Sequence, residues 1–124
     1  MSATALRLPA AIHWEGDSKK AISGFPDPIR ADLGFALWQL QQGDMPTSAM
    51  RRMESIGPGV WELKEQDEKT WYRLIYLSRI DDVIYVLHCF EKRGRKTSQR
   101  DLKIARDRLA RVRQRIQQQR KDKK

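Results

Sequence analysis

Two apolar segments separated by two residues constrain this chain more than anything else in it. Thr70 to Ile80 and Val83 to Phe90 are rich in aromatic and branched side chains, as strands are. Only Asp81-Asp82 stands between them, so they must form a hairpin, although the turn lacks the glycine such turns favour. Val83 to Phe90 is almost continuously apolar, which marks a central strand covered on both faces. The remaining chain therefore has to extend this sheet and cover it.

The flanking segments suit that task. Ile12 and Trp14 alternate with His13 and Glu15, the pattern of a short strand over 11–15. Asp17 or Ser18 can cap a short helix through Ser23, which Gly24-Phe25-Pro26 breaks. Asp27 is the expected N-cap of the next helix, with Pro28 at the first helical position, where its missing N–H costs nothing. Ile29, Leu33, Ala36, Leu37 and Leu40 then form one apolar face, and Gly43 is the expected C-cap. Met50 to Ile56 and Val60 to Glu65 read as strands on either side of Gly57-Pro58-Gly59. Thr97 or Ser98 can cap a last helix, with Asp101 three residues after Ser98. Its seam is Leu102, Ala105, Leu109, Val112 and Ile116. Leu102 and Ala105 are expected to pack on this domain, whereas Val112 and Ile116 are expected to lie beyond it as a partner surface. The prediction is an α+β fold: two N-terminal helices on a mainly antiparallel sheet of four to five strands, plus a basic C-terminal helix. Residues 1–116 form the single domain, and 117–124 a basic, disordered tail.

Charge divides the chain sharply. Residues 92–124 hold 15 Lys/Arg and 3 Asp, a net of +12, whereas residues 1–91 hold 10 Lys/Arg and 13 Asp/Glu, a net of −3. The C-terminal quarter thus carries the whole excess of +9, which points to an anionic partner, nucleic acid first. A membrane surface fits less well, because the helix seam lacks interfacial aromatics. One cysteine, Cys89, fits a reducing cytoplasm, and no apolar run of 18 residues predicts a transmembrane helix. MSATALRLPAA is too short and too weakly apolar for a signal peptide.

Few residue sets support chemistry. There is no nucleotide-binding glycine loop, and no Cys/His spacing fits a metal; neither metal nor cofactor is expected. His88 and Cys89 are neighbours in a strand and point to opposite faces, which excludes them as a nucleophile pair. What remains is a group of cations beside one histidine, suited to attack of a ribose 2′-hydroxyl on its own phosphodiester. Arg73, on an apolar strand, is either a buried ion pair, with Glu62 as partner, or a phosphate clamp. His88 shares parity with Ile84, Val86 and Phe90, as a packing residue or a proton-transfer group. Lys92, Arg93, Arg95 and Lys96 crowd around Gly94 between a strand end and a helix start, as a solvated run or an anion site. Trp14, Trp38, Trp61 and Trp71 serve as core or as base-stacking surfaces.

GDS at 16–18, LGFALWQLQQG at 33–43, IGPGVWEL at 56–63, YRLIY at 72–76, VLHCFEKRGRKT from Val86 and RDLKIAR to Arg106 occur in an informative order and spacing. With them the chain resembles the RelE/ParE toxin superfamily over roughly 12–113, most closely the phage-derived, HigB-like branch. The resemblance implies a toxin neutralised by a cognate helix-turn-helix antitoxin. It implies metal-independent, ribosome-dependent mRNA cleavage in the cytoplasm, with mRNA on the ribosome as substrate. By position, Arg73 matches the strand arginine of RelE-type toxins, Lys64 a basic position on the preceding strand, and Lys92 and Arg93 the basic pair ending the last strand. His88 and Lys96 match positions of the HigB-like branch. The expected catalytic set is Arg73, His88, Lys92 and Lys64, with Arg93, Arg95, Lys96 and Arg100 contacting RNA. The chain departs from the pattern at Glu62, where RelE-type toxins often carry a second basic residue. It departs again at Arg93, Gly94 and Ser98, where the branch has Lys, Thr and Pro. Members of the ParE type poison DNA gyrase with the same fold, so a non-nuclease role is the alternative.

Overall fold

The computed structural model describes residues 8–92, 94 and 96–123. Its elements are β1 (Ala11–Trp14), α1 (Ser18–Ser23), α2 (Asp27–Gln41), β2 (Ala49–Arg52), β3 (Val60–Gln66), β4 (Trp71–Ile80), β5 (Val83–Lys92) and α3 (Gln99–Asp122). The described strands form one sheet in the order β1-β5-β4-β3-β2. β2 to β5 are an antiparallel meander, and β1 adds to β5 in parallel. This is the expected α+β architecture, with five strands. The β4–β5 turn works without glycine because Asp81 and Asp82 both take positive φ, 51° and 64°. Aspartate tolerates that conformation better than most residues, and Arg79 grips Asp82 at 2.6 Å.

Each sheet face has its own core. On one, α1 and α2 set Ile22, Ile29, Leu33, Ala36 and Leu37 against Leu63, Tyr72, Leu74, Tyr76, Ile84, Val86 and Cys89. On the other, Ala105, Leu109, Val112 and Ile116 of α3 cover Val60, Ile75, Leu77, Tyr85, Leu87 and Phe90. The hairpin at the centre is thereby buried on both sides, as its unbroken apolar sequence requires.

Several boundaries differ from expectation. Pro26, not Asp27, caps α2, and Asp27 instead pairs with Arg30 at 2.7 Å inside the first turn. Gln42 is the C-cap, and Gly43 follows it at φ 84°. β2 stops at Arg52, because Met53 and Ile56 turn inward to join the α3 core. The division expected along α3 is absent: Val112 and Ile116 are buried in this domain, and Leu102 is only partly buried. α3 also continues through Asp122, so residues 117–122 extend the helix. Among the described residues, no helix is long and apolar enough to cross a membrane.

Candidate active site

α3 decides which part of its sheet face is lined by apolar groups and which by charge. Ser98 caps it by accepting a hydrogen bond from the Asp101 amide at 3.1 Å. From there α3 runs toward the β4–β5 turn, where Arg120 reaches Asp81 at 3.3 Å. Its apolar seam covers Ile75, Leu77, Tyr85 and Leu87. At the opposite end of the face β3 ends, β4 begins and β5 ends. There Arg51 lies opposite Glu62, Lys64 opposite Arg73, Arg73 opposite Phe90, and Trp71 opposite Lys92. Strand periodicity places all these side chains on one face.

The cluster is tightly built. Arg73 Nη1 donates to Glu62 Oε1, and Arg51 Nε donates to the same oxygen at 3.2 Å. Glu62 is fully buried, and Arg73 retains 5% exposure. The ion pair considered from sequence is therefore present. Glu62 Oε2 and Arg73 Nε are both buried without a hydrogen-bond partner among the described residues. Lys64 Nζ and Arg73 Cζ lie 4.8 Å and 5.8 Å from the centroid of the Trp71 ring. Lys92 is buried, and burial first, then the neighbouring Arg73 guanidinium, lowers the pKa of its ammonium. Arg51 and Lys64 push the same way, and Glu62 opposes them. Arg51 and Arg73 thus share one carboxylate with Lys64 and Lys92 beside them, and Lys92 releases its proton more readily than an ordinary lysine.

Lys64, Arg73 and Lys92 come together; His88 is on the same face but differently engaged. A β-bulge at Leu87 moves it there, since Ile75 pairs with His88 and Tyr76 with Val86. The expected parity of His88 with Ile84 and Val86 is thereby corrected: those two face α2, whereas His88 faces α3 with Phe90. His88 Nε2 meets Asp101 Oδ1 at 2.7 Å, and the ring stacks on Phe90 at 4.8 Å. Burial, with help from the Arg108 guanidinium, lowers the imidazole pKa against the opposing pull of Asp101. Nδ1 is buried without a partner among the described residues. Cys89, on the opposite face, is buried and its thiol pKa is pushed up. His88 thus docks the first turn of α3 onto β5.

Lys96 and Arg100 are exposed, in the β5–α3 loop and on the first turn of α3. Arg93 and Arg95 lie outside the described residues. Much of the charge on α3 serves the fold. Arg108 binds Asp17 at 2.8 Å and the Leu87 carbonyl at 2.9 Å. Arg115 binds Glu15 at 2.8 Å, Arg106 the Ser55 carbonyl at 2.9 Å, and Arg113 the Pro58 carbonyl at 2.6 Å. Sequence reasoning missed Arg51, whose role needed the β2–β3 register, and the Asp101 partner of His88, which needed the path of α3. Among the described residues no group of three or more His, Cys, Asp or Glu side chains is placed to hold a metal ion.

The family described as "Phage derived protein Gp49-like" matches residues 20–110. In structure the chain resembles an E. coli RelE toxin mutant in the free state, with a TM-score of 0.57 and 18% identity, covering 82% of this chain and 99% of that one. It is also similar to the RelBE2 toxin–antitoxin complex from Mycobacterium tuberculosis, with a TM-score of 0.47 and 18% identity, covering 68% of this chain and 100% of that one. No curated protein matches the sequence. At this identity the likeness to RelE establishes a RelE-like fold.

Proposed function

The chain belongs to the phage-derived Gp49-like family, and from that premise we propose that it is the toxin of a toxin–antitoxin pair, acting as a ribosome-dependent mRNA endoribonuclease. Its partners on this reading are a helix-turn-helix antitoxin and mRNA on the cytoplasmic ribosome. The observation that carries the reading is the burial of Arg73 and Lys92 with Lys64 on one sheet face. Cations held in a water-poor setting suit a phosphodiester passing through a more highly charged transition state.

The chemistry needs no metal. The ribose 2′-hydroxyl gives up its proton to solvent water as its oxygen attacks the adjacent phosphorus, and the bond to the 5′-oxygen of the next nucleotide breaks. The products are a 2′,3′-cyclic phosphate and a 5′-hydroxyl. Arg73 and Lys64 stabilise the charge on the phosphoryl oxygens. Lys92, with its lowered pKa, gives a proton to the leaving oxygen. His88 supports the reaction by holding α3 and the basic loop in place. Arg93, Arg95, Lys96 and Arg100 draw in the RNA strand.

Glu62 favours a second reading. It already pairs Arg73 with a buried carboxylate, which suits a member of the fold that binds a protein target such as DNA gyrase and cleaves nothing. Induced expression in a bacterium separates the two. The nuclease reading expects growth arrest and new mRNA 5′ ends bearing hydroxyls. Lys92→Ala and Lys64→Ala should suppress those ends by about a hundredfold, the usual effect of losing one transition-state contact. Growth arrest with intact mRNA and trapped gyrase–DNA complexes would overturn it.

A further inference from the structure

The four tryptophans occupy different settings. Trp14 and Trp61 are partly buried against the α1/α2 core. Trp38 is 51% exposed but stacks on Phe35 of the same helix. Trp71, among the described residues, is the tryptophan at the cation cluster. It is 36% exposed, opposite Lys92 in register, with Lys64 and Arg73 within 6 Å of its ring centroid.

That placement matches how a single nucleic-acid strand presents itself. Each unpaired base sits one ribose away from its phosphate. Trp71 likewise sits one side chain away from the groups that would hold the phosphate. An indole offers a flat π surface to any base, and stacking on it is tolerant of sequence. The two cations fix the ring before a ligand arrives, so little side-chain freedom is lost on stacking. β4 fixes its other end, because Trp71 is the first residue of a strand paired on both sides.

We propose that Trp71 is a stacking platform for one unpaired base of the RNA, adjacent to the phosphate held by Lys64, Arg73 and Lys92. The inference rests on the reading of this cluster as an RNA site, and it adds a binding residue that recognises the base and not the backbone.

The test uses the full-length protein and a short 2′-O-methyl oligoribonucleotide, which cannot be cleaved, with binding read by fluorescence anisotropy. A series of oligonucleotides carries a single abasic site at each position in turn. With wild-type protein, one abasic position should weaken binding about tenfold, the scale of one base–aromatic contact. Trp71→Ala should weaken binding to the intact strand by a similar factor and become indifferent to that abasic position. Trp71→Tyr should restore most of the affinity. The slope of log K against log salt should be unchanged in Trp71→Ala, because stacking releases no counterions, and should fall by about 0.7 in Lys64→Ala. A structural role for Trp71 would give losses that multiply at every abasic position, and that result would overturn the platform while leaving RNA binding intact. Wild-type binding that is indifferent to salt would instead remove the RNA reading of the cluster, and the platform with it.

Discussion

Glu62 and Arg73 make a sharp energetic prediction, because both are buried and paired with each other. Replacing Glu62 with Leu leaves Arg73 charged in a site with little water. Removing one partner of a buried pair costs about 3–5 kcal/mol. In a domain of this size that lowers Tm by roughly 10 °C or more. Replacing Arg73 with Met should cost less, because Glu62 keeps Arg51 at 3.2 Å. Arg51 has a side chain 55% exposed, so its compensation is limited to about 1 kcal/mol. The double variant Glu62→Leu with Arg73→Met should recover most of the loss, since an apolar pair of similar volume is often neutral in place of a buried ion pair. The assay is a double-mutant cycle of denaturant and thermal melts at pH 7. Additive losses, or single variants that melt with the wild type, would refute the buried pair. The cycle also bears on the proposed function: a loss of growth arrest in an Arg73 variant supports it only once the variant's melt is known.

Three further outcomes can be measured directly. Val112→Asp and Ile116→Asp should each destabilise the isolated protein by about 3 kcal/mol or more, and Leu102→Asp by less, since the first two are buried and the last is partly exposed; equal melts for Ile116→Asp and wild type would return the distal turns to a partner surface. A methyl group added at Gly57 would meet Leu109 Cδ2 at 2.6 Å, so Gly57→Ala should cost about 1–3 kcal/mol, and unchanged stability would show that α3 shifts freely. His88 has a folded pKa below its ordinary 6.5, so on acidification through that value the unfolded chain takes up its proton first and stability falls; His88→Gln should flatten the stability profile just below pH 6.5, and an unaltered profile would assign the acid sensitivity to other groups.

Much of the fold was legible because its signals are local. The two-residue link between β4 and β5, the run of apolar residues in β5 and the Ser98 cap each depend on neighbours in sequence. The strand face of Lys64 and Arg73 followed from simple alternation. His88 shows where alternation fails: one extra residue at Leu87 moves it to the other face, and no local pattern marks the bulge. Val112 and Ile116 show a second failure, because a seam of apolar residues states that a helix must dock but not on what.

Local pattern along the chain is enough to specify the α+β class, the central hairpin, the helices on its faces and the concentration of positive charge after β5. Periodicity and short-range capping specify such features without reference to the rest of the chain. How that charge is used depends on the folded arrangement. It spends Arg108, Arg113 and Arg115 on carbonyls and carboxylates of the scaffold. It sets Arg51 and Arg73 on one buried glutamate, and leaves Trp71 exposed beside Lys64 and Arg73. The reason is that an ion pair depends on separation and solvent access between groups far apart in the chain, and both are set only when the strands take their register and α3 lies down on the sheet.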